Sequence, residues 1–430
     1  MDILIKNGNV LEPAQATEGI CDILVRQGRI ARVAKNIKAE GSCRVIEAKG
    51  LYVMPGLIDM HCHLREPGRE DEETIYNGSL SAARGGFTTI CCMPNTSPAL
   101  DSKVAISFVK HRALAAACDV LPVGAITINR EGRELASFGE MAQEGACAFS
   151  DDGDCIMDSL IMRRALEYTK LYGKKVISHA EDKFLSKNGV MNEGALSVQM
   201  GLIGIPRQAE EIMVSRDVCL AELTGGLLHV AHLSTREAVE VMKRAKRSCP
   251  GISCEVTIHH LSLTEEAVGG YNANAKVSPP LRTARDQKAL IEGVKDGTID
   301  CIVTDNAPHS QEEKESGFEN APFGMVGFET ALPLSLELAE RGVPLIQVVS
   351  RWTAGPARIL GLEDRGSISE RKRADIIVVD PGKEWTCTEE SLQSKSKNTP
   401  FLGRRMKGKV SVTVCNGKIV FEDKASREKR

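Results

Sequence analysis

Leu57-Ile-Asp-Met-His-Cys-His63 is a short apolar run that ends in two histidines separated by one residue. Residues i and i+2 of a strand project to the same side, so the pair is placed to converge on one metal ion. Seven further runs of this kind follow: Thr88–Pro94, Leu121–Thr127, Ala146–Asp151, Lys175–His179, Leu227–His232, Ile252–Thr257 and Ile299–Asp305. Their starts are spaced by about 35 residues, the length of a strand–helix unit with its loops. The stretches between them carry helical spacing and stop signals. Glu72–Arg84 runs into Gly85-Gly86, Lys103–Ala117 and Ser159–Tyr172 have helical apolar spacing, and Ser234-Thr-Arg-Glu237 reads as a capping box. Near-continuous apolar strands joined by helices need a parallel sheet covered on its faces. Eight units predict an α/β fold, a (β/α)8 barrel over residues 53–361. A doubly wound sheet is disfavoured, because no GxGxxG follows an early strand.

The ends of the chain differ in style. Residues 1–52 and 362–430 read as short alternating strands with turns, and neither segment offers enough core alone. Together they predict one small composite β-sandwich through which the barrel is inserted.

Composition narrows the class of partner. The 430 residues carry 55 Lys and Arg against 58 Asp and Glu, with a basic tail at Arg427–Arg430. Such a balance predicts no face for nucleic acid or anionic lipid, which leaves small molecules. Fourteen cysteines without a CxxC pair, behind a start (Met1–Val10) that lacks an apolar signal core, predict reduced, mostly buried thiols in a cytoplasmic protein. No apolar run approaches the ~18 residues of a membrane-spanning helix.

In a (β/α)8 barrel the site lies at the C-terminal ends of the strands. Strand one ends in His61-Cys-His63, strand four in Ser150-Asp151-Asp152, strand five in His179, strand six in His232 and strand eight in Asp305. Four of nine histidines with aspartates at one rim point to a binuclear metal site, and imidazole and carboxylate without thiolate suit Zn²⁺. His111, His229, His259 and His260 read as structural, with His229 expected on the strand face opposite His232.

These residues sit within longer motifs: Pro55-Gly-Leu-Ile-Asp-Met-His-Cys-His-Leu-Arg-Glu-Pro-Gly68, Met93-Pro-Asn-Thr96, Phe149-Ser-Asp-Asp-Gly153, Ser178-His-Ala-Glu181, Pro279-Pro-Leu-Arg282 and Thr304-Asp-Asn-Ala-Pro-His309. Over Val53 to about Gly361 the sequence resembles the type I dihydroorotases of the amidohydrolase superfamily, and Arg373-Ala-Asp-Ile-Ile-Val-Val-Asp380 is similar to that superfamily's closing β-segment. The resemblance implies two zinc ions per subunit, one on His61, His63 and Asp305, the other on His179 and His232, bridged by Asp151. It implies that a hydroxide between the metals attacks the ring amide of dihydroorotate while Asp305 serves as general base and acid. In reverse, N-carbamoyl-L-aspartate is cyclised, the third step of de novo pyrimidine (UMP) biosynthesis. For the substrate it implies His63, Arg65, Asn95, Ser278, His309, Phe323 and Gly324, with Arg65 suited to bidentate capture of the ring carboxylate.

Two other readings are weighed beside it. Dihydropyrimidinases, hydantoinases and allantoinases use a carboxylated lysine on strand four, whereas this chain has no lysine between Lys110 and Lys170. Some relatives have lost the metal ligands and act as structural partners of aspartate transcarbamoylase; here every ligand position is filled. A homodimer, or association with that enzyme, stays open. The sequence departs from the family pattern at Asn306, Ser278 and Ile258, of which only Ser278 falls on an expected substrate contact. The polar segment Ser310–Asn320 reads either as a mobile lid or as a solvated loop.

Overall fold

In the computed structural model the described residues are 2–39 and 41–423; the basic tail Arg427–Arg430 lies outside them. Eight parallel strands follow the eight predicted runs: β1 Leu57–Cys62, β2 Phe87–Cys92, β3 Asp119–Pro122, β4 Phe149–Ser150, β5 Val176–Ser178, β6 Leu228–Val230, β7 Ser253–Thr257 and β8 Cys301–Val303. The ladders run β1–β2–β3 and β4–β5–β6–β7–β8. Parallel bridges close both seams, Gly124 to Phe149 and Cys62 to Asn306. At the second seam the backbone N–H of His63 donates to Asn306 O at 2.8 Å, and that of Asp305 to His61 O at 3.0 Å. The sheet is therefore a closed barrel, and its C-terminal rim carries the residues that matter.

Strand alternation sorts the side chains. Cys91, Met93, Val123, Ala148, Ile177 and Ala231 pack inside the barrel. Their neighbours Cys92, Val120, Phe149, Val176 and Val230 join the larger core beneath the helices. The helices start and stop for local reasons. Thr74 caps Ile75–Gly85 by accepting from the Asn77 N–H, and Gly86, at φ 94°, ends it in the left-handed region. Helix Arg236–Ala245 is capped by Thr235 rather than by Ser234 of the expected capping box. The reason is buried: the Ser234 N–H and hydroxyl are both turned onto the Glu210 carboxylate.

The terminal segments share one hydrogen-bonded sheet. Lys418–Glu422, Arg405–Cys415, Ile376–Thr386, Tyr52–Pro55, Asp2–Glu12, Thr17–Arg26 and Arg29–Ala34 lie side by side in that order, and Cys43–Glu47 pairs with Asp2–Glu12. Ile3, Ile5, Ile23, Val25, Ile30, Ile376, Val378, Val412 and Val414 form one core inside it. The two ends of the sheet meet at their hairpins, where Gln27-Gly28 and Asn416-Gly417 all have positive φ. A Cβ on Gly417 would stand 2.5 Å from Gly28 Cα, so glycine is required for that approach. The opposite face of the sheet, with Met54, Ile377, Val379, Met406 and Val410, belongs to the core of the barrel. The fourteen cysteines are free, ten of them buried. Among the described residues, no helix is long and apolar enough to cross a membrane.

Candidate metal centre and substrate cleft

The rim of the barrel gathers four imidazoles and two carboxylates. His61 and His63 leave β1 where its pairing with β2 shifts register between Asp59 and Cys62, a bulge of the kind that re-aims side chains. His179 follows β5 on the inward side set by Ile177. His232 turns inward through a φ of 30°. Asp305 follows β8, also at positive φ.

One expectation fails here. Asp151 does not face the imidazoles: its Oδ1 accepts from the backbone N–H groups of Ile126 (2.8 Å) and Thr127 (3.0 Å), and its Oδ2 takes the Thr127 hydroxyl. The carboxylate that enters the cluster is Asp152. The cause is strand alternation: Ala148 points into the barrel and Phe149 away from it, so Asp152 shares the inner side and Asp151 the outer one.

Asp152 is the hub. Its Oδ1 lies 3.1 Å from His61 Nε2, 3.5 Å from His179 Nδ1 and 3.8 Å from His232 Nε2, and its Oδ2 lies 3.5 Å from His63 Nε2. Asp305 Oδ1 lies 3.1 Å from His63 Nε2 and 3.7 Å from His61 Nε2. His179 Nδ1 and His232 Nε2 are 2.9 Å apart. All six side chains are buried. Two ligand triads result, His61 with Asp152 and His232, and His61 with His63 and Asp305, each with its donor atoms within 4.8 Å of one another.

This donor set fits a metal. His61 Nε2 and Asp152 Oδ1 are buried and, although 3.1 Å apart, neither makes a hydrogen bond of good geometry among the described residues, where buried polar atoms almost always do. Burial by itself would raise the Asp152 carboxyl, but the imidazoles of His61, His179 and His232 hold it well below the carboxylate range. Burial would likewise depress His61, and the carboxylates of Asp152 and Glu255 instead push it well above the usual imidazole value. The cluster thus demands positive charge, and oxygen and nitrogen donors without sulfur suit zinc.

Groups behind the cluster orient it. Glu255 Oε1 lies 2.7 Å from His61 Nδ1, and Glu255 Oε2 lies 3.0 Å from His229 Nε2. His229 Nδ1 in turn lies 2.8 Å from the Ser253 hydroxyl. His229 is therefore structural as expected, but it faces the barrel interior, the side to which His232 also turns. Asn95 Oδ1 lies 2.8 Å from His63 Nδ1 and fixes that ring. His111 is exposed on helix Lys103–Ala113, and His259 and His260 are buried in the turn after β7. Burial holds His259 down to about 4, so it stays neutral.

A cleft of about 420 Å³ opens over these groups. Arg65, Asn95, Ser278, His309, Phe323 and Gly324 all line it together with His61, His63, Asp152, His179, His232 and Asp305; Asp151 is not among its lining residues. Arg65 Nε donates to Pro308 O at 2.9 Å and lies 3.1 Å from Glu72 Oε2. The Ser278 hydroxyl donates to Glu181 Oε2 at 3.2 Å, so the shorter side chain at this departure is held at the wall of the cleft. Asn306, the second departure, spends its Oδ1 on the Gly327 N–H. Asn398 knits the rim loops: it accepts from the His309 N–H and donates to Ala307 O and Gly324 O. The sequence places Asp152 at the end of strand four, but the ligand role expected from it falls on Asp151, and it does not reach Glu255, Glu72 or Asn398. A strict period of two from Ala148 finds Asp152, whereas the other three depend on tertiary contacts that leave no local signal.

A Dihydro-orotase-like family profile matches residues 50–238, and an amidohydrolase family profile matches residues 237–421. Solved structures with the same fold include the L-hydantoinase (dihydropyrimidinase) of Arthrobacter aurescens, at a TM-score of 0.88 and 25% identity over 98% of this chain and 96% of that one. Curated relatives lie far nearer in sequence. The dihydroorotase of Trichlorobacter lovleyi is 48% identical over 98% of this chain and 99% of that protein. The dihydroorotase of Pelotomaculum thermopropionicum is 48% identical over 99% of this chain and all of that protein. With near-half identity sustained from end to end, and a rim that gathers imidazoles and carboxylates beside an arginine, the chain belongs to the dihydroorotase family.

Proposed function

We propose that this chain interconverts dihydroorotate and N-carbamoyl-L-aspartate with two zinc ions held at the barrel rim. The observation that carries the reading is the buried pair His61 Nε2 and Asp152 Oδ1, 3.1 Å apart and without a hydrogen bond of good geometry, among imidazoles and carboxylates at the floor of a cleft that Arg65 also lines. His61, His63 and Asp305 would hold one ion and His179 and His232 the other, with Asp152 serving in the role first expected of Asp151. Bound there, the ions supply Lewis acidity toward the ring amide and a water ionised at neutral pH.

The protein's own groups do the rest. Arg65, with Asn95 and His309 nearby, receives the ring carboxylate and so sets the amide carbonyl over the floor of the cleft. Phe323 and Gly324 bound the ring, and Ser278 offers a hydroxyl at the wall. Asp305 is the proton carrier. Burial alone would raise its carboxyl, but the hydrogen bond with His63 and the neighbouring imidazoles hold it below the carboxylate range, so it is ionised and able to accept a proton. It passes that proton to the departing ring nitrogen in hydrolysis and runs the transfer backward in cyclisation.

The lack of any lysine between Lys110 and Lys170 supports this reading over the hydantoinases, for which a carboxylated lysine is expected on strand four; here Asp152, just past β4, takes that role. The test is turnover of dihydroorotate against dihydrouracil, hydantoin and allantoin by zinc-reconstituted protein. Dihydroorotate is expected to dominate by at least about a hundredfold, equivalent to roughly 3 kcal/mol of carboxylate recognition. Preference for any ring without a carboxylate would overturn the reading.

A further inference from the structure

The corner of the cleft that receives the carboxylate contains a histidine with one proton too few. His309 Nδ1 lies 2.9 Å from Glu72 Oε1, and its Nε2 lies 2.9 Å from the carbonyl oxygen of Phe323. Both neighbours only accept. A neutral imidazole has one N–H and satisfies one of them; an imidazolium satisfies both. The terminal nitrogen of Arg65 donates to the same Nε2 at 3.0 Å, so this cation occupies the ring's lone pair and opposes a second proton. Burial, Arg65 and Lys314 together push His309 down to about 3, so the resting ring is neutral: its Nδ1–H donates to Glu72, its Nε2 lone pair accepts from Arg65, and the Phe323 carbonyl 2.9 Å from Nε2 receives no ring proton.

Glu72 ties these groups together. It is buried, and its two oxygens reach different partners, Oε1 toward His309 and Oε2 toward Arg65 Nε. Its backbone carbonyl is fixed by the Ser396 hydroxyl at 2.8 Å. The other charges around His309 come from every element packed on it. Glu313 Oε2 lies 3.6 Å from Nδ1, Arg69 reaches both Glu72 and Glu313, and Lys314 stands in the segment after β8 with Lys276 beyond it. An anion placed on Arg65 cancels the charge that opposes protonation and adds a further acceptor to the corner.

We propose that Glu72 is a positioning residue for carboxylate capture, and that the substrate's carboxylate enters together with one solvent proton, which His309 takes up on binding. No bond of the ligand is made or broken in this step: one anion and one proton come in, and Glu72 and the ring carboxylate flank the resulting imidazolium. The inference rests on the dihydroorotate reading, because it needs a ring carboxylate on Arg65. It adds a source of specificity: an uncharged ring brings no anion and draws no proton.

Isothermal titration of the zinc-loaded enzyme with orotate tests it, since orotate is an unreactive planar ring bearing the same carboxylate. The titration is run in buffers of different ionisation enthalpy near pH 6.5, the ordinary imidazole value. Wild type is expected to take up about half a proton or more per ligand, falling toward none about two pH units higher. His309→Gln is expected to bind orotate without uptake. Glu72→Gln is expected to keep its zinc, bind about tenfold more weakly and take up less than half as much. Orotate bound by wild type with no proton uptake, or equal uptake in His309→Gln, would overturn the proposal while leaving the dihydroorotate reading intact. No orotate binding, or binding unchanged in Arg65→Met, would overturn that reading and the proposal with it.

Discussion

Asp151 and Asp152 are one residue apart, and the step between them decides their chemistry. Asp151 anchors the backbone after β3 through Ile126 and Thr127, so it acts on the fold and touches no imidazole. Asp151→Ala strands two buried N–H groups and is expected to cost about 1–3 kcal/mol in denaturant unfolding while the protein keeps its zinc. Loss of zinc without loss of stability would reverse the assignment. Glu255 acts one contact behind the proposed metal centre. Its contact with His61 Nδ1 fixes which ring nitrogen carries the proton, and outer partners of this kind typically contribute a factor of 10–100 in metal affinity. Glu255→Gln is expected to weaken zinc binding by about that factor in a chelator competition; unchanged affinity would show that the bond is idle. The histidines and Asp305 are legible in the sequence because each stands at the end of an apolar run. The choice between the two aspartates is harder to read, because β4 is only two residues long and its neighbours set its facing.

At the scale of elements, the strands match the apolar runs within a few residues, since alternation and length are local properties. The segment Ser310–Asn320 is where local reading stops. It opens on a short helix, Gln311–Lys314, capped by Ser310, and it is tied down by two buried lysines. Lys314 Nζ donates to Ala273 O and Pro322 O, and Lys276 Nζ donates to Phe318 O and Glu319 O. These contacts join it to the segment before Ser278 and hold Phe323 and Gly324 over the cleft, so it is a tethered cover, an outcome between the expected lid and a solvated loop. Burial pushes Lys314 down from 10.5 to about 7. Between those values the unfolded chain binds the proton and the folded chain does not, so the lysine's contribution to stability rises with pH over that window. Lys314→Met, which carries no charge to bury, is therefore expected to gain on wild type most at pH 7 and least near pH 10. Its cover segment is expected to exchange amide hydrogens faster at both. A stability difference independent of pH, with unchanged exchange, would contradict the tether.

For the whole molecule, the terminal strands do more than decorate a barrel. Met54, Ile377, Val379, Met406 and Val410 belong to the same core as barrel residues Leu57, Phe87 and Phe328, and the Thr413 hydroxyl donates to Ala83 O at 2.7 Å. Asn398, from the long connection between two sheet strands, holds the substrate loops. One cooperative unfolding transition is expected in calorimetry, and two resolved transitions would show that sheet and barrel stand separately. The sequence announces that both ends are β-rich, but it carries no sign of this shared core, because pairing between Tyr52–Pro55 and Ile376–Thr386 spans most of the chain. Sheet, barrel and tethered segment all serve to hold six buried imidazoles and carboxylates beneath one arginine. The most direct test is dihydroorotate turnover by zinc-reconstituted Asp152→Asn beside wild type. The loss is expected to be at least about a thousandfold, roughly 4 kcal/mol of transition-state stabilisation; turnover within about tenfold of wild type would contradict the account.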